Sequence, residues 1–147
     1  MRAGPVSLAV MAMVIGAAAP PRSGEIAVTA TGLRVTKGTV LACMTARPET
    51  FPDCDKDPAS YRATAAAAEG KIELRFADVK PGRYSIALLH DENDNGKPDR
   101  VLGIAPREGF GFSRDAKVKM GPPSFNDAAF DYDGDGASLT IRMRYLF

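Results

Sequence analysis

The chain has 147 residues, which fits one domain and leaves little room for a second. Nineteen Lys and Arg stand against 18 Asp and Glu, with one histidine and a formal net charge of +1. There is no basic stripe to recruit a nucleic acid, so no nucleic-acid partner is expected.

The first segment, "MRAGPVSLAVMAMVIGAAAPP", has the layout of a secretory signal peptide over residues 1–19. Arg2 gives the positive start, Val6 to Ile15 the apolar core, and Gly16 to Ala19 the small-residue exit, with cleavage near residues 18–20. The apolar core is short for a bilayer span, and after it no second stretch is long enough to cross a membrane. An uncleaved anchor is the alternative. Loss of Arg2 with the leader leaves 18 basic and 18 acidic residues, so the mature chain, whose single domain spans residues 25–147, is near neutral. A periplasmic or secreted location follows. In that oxidising setting Cys43 and Cys54, the two cysteines of the chain, are expected to pair.

In "GEIAVTATGL", Ile26, Val28 and Ala30 alternate with Glu25 and Thr29 at the period of a half-buried strand, and "GTVLACMTA" continues in the same style. The prolines and aspartates of "RPETFPDCDKDP" mark a loop. "YRATAAAAEGKIELRF" reads as a hairpin, with Ile72, Leu74 and Phe76 alternating in its second arm. Pro81-Gly82 turns the chain into a strand with Tyr84, Ile86 and Leu88 on one face, and a tyrosine placed there suits a hydroxyl that ties the corner loop. "ASLTIRMRYLF" alternates throughout, Leu139, Ile141, Met143, Tyr145 and Phe147 inward and Thr140, Arg142 and Arg144 outward. The long irregular section before it is of a length that is often functional. Six or seven strands without a sure helix indicate an all-β antiparallel sandwich.

Three stretches together, "VKPGRYSIALLHDENDNGKPD", "GIAPREGFGFS" and "GPPSFNDAAF", resemble the bacterial domain of unknown function numbered 2141. The likeness covers nearly all of the mature chain. It implies a small exported envelope protein with an immunoglobulin-like or transthyretin-like sandwich fold, and it implies no particular activity.

Chemistry concentrates in "HDENDNGKPD". Asp91, Asn93 and Asn95 take the first, third and fifth places of a calcium loop, Gly96 the sixth, the Lys97 carbonyl the seventh and Asp99 the ninth. The twelfth place, usually a bidentate glutamate, is Leu102. Such a Ca2+ site would be weak, on the order of 10⁻⁴ to 10⁻³ M. The competing reading is a solvated turn, since Asn95-Gly96 favours a type I′ hairpin. In "DYDGDG", Asp131, Asp133 and Asp135 open similarly, yet a tight acidic hairpin fits better because Leu139 already belongs to a strand.

His90 beside Asp91 suggests an oriented imidazole, but no local motif places a nucleophile next to it, so a structural role is favoured over catalysis. Phe110, Phe112 and Phe125, with Glu108 alongside, either form an exposed aromatic contact surface for a protein, peptide or glycan or cap one end of the sandwich. These residues and His90 are the candidate ligand-binding set. The expectation is an exported, non-catalytic binding or structural module of the envelope. The alternatives are a small periplasmic enzyme using His90 and Asp91, and an outer-membrane β-barrel ending in Phe147, for which the proline-rich section leaves too little chain.

Overall fold

A computed structural model of the protein describes residues 2–5, 19–96, 100–101, 105–106 and 108–146. The apolar core of the leader, Lys97, Asp99 and Phe147 lie outside the described residues. Among the described residues ten strands form, in chain order β1 (Ile26–Thr31), β2 (Thr39–Thr45), β3 (Tyr61–Ala66), β4 (Lys71–Phe76), β5 (Gly82–Asp91), β6 (Arg100–Val101), β7 (Ala105–Pro106), β8 (Gly109–Phe112), β9 (Phe130–Tyr132) and β10 (Ala137–Arg142), with one short α-helix, α1 (Phe125–Ala128), and three single 3-10 turns. They exceed the expected six or seven because β6, β7 and β9 are only two or three residues long. None of the described helices is long and apolar enough to cross a membrane.

Two sheets face each other. One runs β10-β1-β4; the other runs β3-β2-β5-β8, with β9 added beside the start of β5. The alternation seen in the sequence decides which side of each strand is dry. Ile26, Val28, Ala30, Ile72, Leu74 and Phe76 face inward from the first sheet, and Val40, Ala42, Met44, Ile86 and Leu88 meet them from the second. The all-β sandwich read from the sequence is therefore the fold.

Three pairings differ from expectation. β1 runs antiparallel to β4 but parallel to β10. Residues 61–76 do not make a hairpin: β3 pairs with β2 while β4 pairs with β1, so the Glu69-Gly70 turn carries the chain from one sheet to the other. The acidic turn at 133–136 does the same, because β9 pairs with β5 and β10 with β1. Both turns look like hairpin turns locally. What overrides them is burial: each flanking strand has its own apolar face to cover, and pairing across sheets covers it. Asp133 bonds the Asp135 N–H at 2.9 Å within the second turn.

The corner tyrosine is present. Tyr84 Oη donates to the Lys80 carbonyl at 2.6 Å, tying the 80–82 corner to the core strand it leads into. Burial, first of all, pushes the Tyr84 phenol up to about 12, so it stays a donor across the neutral range.

Cys43 and Cys54 are joined in a disulfide, Cα to Cα 6.0 Å. It staples the 46–60 loop to β2. Inside that loop Asp57 is buried and accepts hydrogen bonds from Thr45 Oγ1 at 2.7 Å and the Ala59 N–H at 2.9 Å. In the chain-entropy picture the short bridged loop contributes about 3 kcal/mol. Reduction is accordingly expected to lower the thermal midpoint by about 10 °C, measured by thermal unfolding with and without a reductant.

A pH dependence arises from the same loop. The Thr45 hydroxyl bond, ahead of the Ala59 N–H and the Arg47 charge and against the cost of burial, holds the Asp57 carboxyl below its ordinary range. A depressed folded pKa gives stability that is present above the unfolded value, about 3.9, and lost as pH falls through the folded value. Asp57→Asn should therefore lower the midpoint at pH 7, and its deficit relative to the unaltered protein should shrink on acidification below about pH 4. Parallel melting curves of the two proteins would fail this expectation.

Candidate functional site

The end of β5 brings His90 and Asp91 to one pole of the sandwich, followed directly by the acidic turn. Opposite them on β2 stand Val40 and Thr39. Gly38, at φ +79°, lets the β2 backbone come close to Asp91; a Cβ there would lie 2.0 Å from the Asp91 carbonyl oxygen. Only a glycine permits that approach.

Asp91 is 2 % exposed, and its carboxylate closes the turn. Its two oxygens accept the backbone N–H groups of Gly96 at 2.7 Å and Asn95 at 3.2 Å. Asn93 Oδ1 lies 3.3 Å from the same Asn95 N–H, and Thr39 Oγ1 donates to Asp94 Oδ1 at 2.7 Å, fastening the turn to β2. Positive φ occurs at Asp94 and Gly96, not at Asn95. The type I′ Asn-Gly hairpin, the geometry behind the competing solvated-turn reading, is thus not the conformation adopted. The reason lies at Asp91, whose carboxylate gathers two successive N–H groups and winds the turn around itself.

The sequence-based calcium ligands divide accordingly. Asp91, Asn93 and Asn95 share one turn, with Asn93 and Asn95 exposed, whereas Lys97 and Asp99 fall outside the described residues. Among the described residues no three His, Cys, Asp or Glu side chains converge on a common point suited to a metal ion.

His90 and Asp91 are successive strand residues and point to opposite faces. The His90 side chain is fully buried. Nε2 lies 2.7 Å from the Lys37 carbonyl and Nδ1 lies 2.8 Å from Tyr145 Oη. A carbonyl only accepts, so Nε2–H donates to Lys37, while Nδ1 and the Tyr145 hydroxyl share the second bond. Tyr145 Oη in turn accepts the Arg34 N–H at 3.3 Å. These bonds form a relay around His90 that crosses from the 32–38 loop to the C-terminal segment.

Arg34 completes this pole. It stacks over the Tyr145 ring, 4.5 Å to the centroid, and its guanidinium grips both Glu92 oxygens at 2.6 and 3.1 Å. The Arg34 bond holds the Glu92 carboxyl below its usual range. Glu108 is buried and accepts the Glu92 N–H at 3.2 Å. The acidic character of "HDENDNG" is therefore largely directed inward, toward Arg34 and backbone donors.

Phe110, Phe112 and Phe125 are each 7 % exposed, so they are buried rather than displayed, and they pack in a cluster outside the main core rather than at one end of the sandwich. Phe110 and Phe112 lie on the outer face of β8, their rings 5.9 Å apart, and Phe51 of the stapled loop packs edge-on against Phe112 and Phe125 at 5.8 and 6.3 Å. A second small core thus forms outside the five-stranded sheet. Two buried serines anchor its cover. Ser113 Oγ accepts the Ile86 N–H at 2.9 Å and donates to the Ala128 carbonyl at 2.5 Å, and Ser85 Oγ donates to the Phe125 carbonyl at 2.7 Å.

Gly109 and Gly111 alternate with those phenylalanines and face the other way. A Cβ on Gly109 would sit 2.2 Å from Tyr145 Cε1, and one on Gly111 would sit 2.8 Å from Ile141 Cγ2. In "GFGF" the glycines admit the C-terminal segment, which pairs back through Phe110 and Arg144 at 3.0 and 2.8 Å, and the phenylalanines seal the opposite face. Neither Tyr145 nor Arg34 was among the residues singled out from the sequence. The signal available was the inward phase of Tyr145 in the last alternating segment.

Comparison with known proteins bears on this arrangement. The profile of a family described as an uncharacterized protein conserved in bacteria (DUF2141) matches residues 28–140, a span from β1 through β10. The chain belongs to this family. The DUF2141 match takes in the Asp91 turn, the "GFGF" strand and both sheets, so the pole built by His90, Arg34 and Glu108 lies within the family's own domain. No curated protein and no solved structure matches this DUF2141 chain.

Proposed function

We propose that this protein is an exported module of the bacterial envelope that acts by binding or by structural contact rather than by catalysis. The observation that carries the reading is the state of the chain's only histidine: it is fully buried, with both ring nitrogens engaged by Tyr145 and the Lys37 carbonyl. A general acid or base has to reach the proton it transfers, and this ring faces structural partners on both sides. The leader-like first segment and the Cys43–Cys54 bridge support an oxidising destination.

Calcium is the ligand proposed for the 91–99 loop, where it would brace the pole from outside while Arg34 and Glu92 brace it from within. What supports this is the Asp91-centred winding of the turn, which leaves the exposed Asn93 and Asn95 on one short loop with Asp99 still to come in sequence.

Two measurements test the reading together. Expressed with its own leader in a bacterial host, the chain should appear in the osmotic-shock fluid with both thiols blocked until reduced; cytoplasmic protein with free thiols contradicts export. The purified domain should then melt at a higher temperature in millimolar calcium, return on chelation, and lose the response in Asp99→Ala. A melting temperature indifferent to calcium makes the loop a plain turn.

A further inference from the structure

β3 is an edge strand, paired on one side with β2 and with no strand on its other side among the described residues. The phase of its backbone can be read directly. Ala67 N–H donates to the Gly38 carbonyl at 3.0 Å, and the two residues continue the register in which Ala66 faces Thr39. Antiparallel bonding pairs recur every second residue, so Ala65 and Ala63 bond toward β2, and Thr64 and Ala66 turn their N–H and C=O groups outward.

This edge lacks the usual protection. β4, the corresponding edge of the other sheet, presents Lys71, Glu73 and Arg75. β3 carries one charged side chain in six residues, no proline and a run of small side chains. A regular, weakly charged edge is a template for another strand.

We propose that β3 pairs antiparallel with β3 of a second copy of this chain, about a two-fold axis through Thr64. The strand's own sequence selects that partner. With Thr64 opposite Thr64 of the other copy, the outward-bonding residues fall opposite one another: Ala66 meets position 62, so Arg62 faces a small side chain rather than its own like. Threonine opposite threonine is a favourable cross-strand pair. The contact is isologous, and forming it occupies the edge in both copies, so association stops at the dimer. One pair of short strands buries less than the roughly 1,000 Å² of a stable interface, which makes the dimer weak and concentration-dependent. The proposal stands apart from export and from calcium.

Sedimentation of the full processed chain over a wide concentration range tests it. The unaltered protein is expected to shift from monomer to dimer at high concentration and to go no further. Thr64→Pro removes an N–H that points away from β2, so it should keep the melting temperature and stay monomeric. Thr64→Lys, which sets two like charges face to face on the axis, should do the same and serves if the proline variant folds poorly. Directly bonded antiparallel residues stand about 5.5 Å apart at Cα, within disulfide range, so Thr64→Cys should yield an oxidised dimer on a non-reducing gel while Glu73→Cys on β4 remains monomeric. A monomer at every concentration, a dimer that survives in folded Thr64→Pro, growth beyond the dimer, or equal cross-linking from both cysteine variants overturns the proposal.

Discussion

Gly38→Ala is expected to cost about 3–5 kcal/mol, with a fall in thermal midpoint of more than about 10 °C. Two effects combine. The residue sits at φ +79°, where an L side chain is strained by about 1 kcal/mol, and the new Cβ would stand 2.0 Å from the Asp91 carbonyl oxygen and 2.7 Å from Glu92 Cα. Those are backbone atoms at the base of the turn, in the ladder where Thr39 pairs with Asp91, so relief requires the two strands to separate. Gly70→Ala isolates the first effect. Gly70 has φ +82° but nothing within 4 Å of its would-be Cβ, so this variant should lose only about 1 kcal/mol. Equal losses in the two variants would show that crowding at Asp91 contributes nothing.

A second large loss is expected from His90→Ala, about 3–5 kcal/mol. The change opens a cavity at a fully buried position and strips partners from two groups, the Lys37 carbonyl and the Tyr145 hydroxyl. Tyr145→Phe keeps the ring but removes the hydroxyl with its contacts to His90 and the Arg34 N–H, and should cost about 1–2 kcal/mol. If the histidine and tyrosine act as one network, the double variant should lose less than the sum of the two single losses, read from denaturant unfolding. Simple additivity would separate them into independent contacts.

How far the sequence anticipated these sites follows from the range of the forces involved. Period-two alternation is a local consequence of burying one face, and it was legible in β1, in the second arm at Ile72, Leu74 and Phe76, and in the last strand. Tyr84 was legible too, because its corner bond reaches only four residues back. The cysteine pair needed compartment chemistry rather than geometry, and it forms. Strand partners were another matter. Glu69-Gly70 and Asp133–Gly136 carry hairpin-type residues, yet what decides pairing there is which sheet buries the next apolar face, information spread over the whole chain. The pole around His90 was legible only in part. Its own position at a strand end was visible, but Lys37, Arg34 and Tyr145 come from 53 to 58 residues away in their contacts with His90 and Glu92. "GFGF" was only half legible for a related reason. Its phenylalanines were visible, but the cause of its glycines is the close passage of the C-terminal segment on one face, with aromatic packing on the other.

The parallel ladder between β1 and β10 sets an order on events. Ile26 aligns with Ala137 and Thr31 with Arg142, so the three-stranded sheet joins segments more than a hundred residues apart. Contacts this distant in sequence make for slow folding, since the chain must close its largest loop before the ladder rewards it. A nascent chain halted before residue 137 holds β1 with only β4 beside it and an incomplete dry face. The three-stranded sheet therefore closes only when residues 137–142 reach β1.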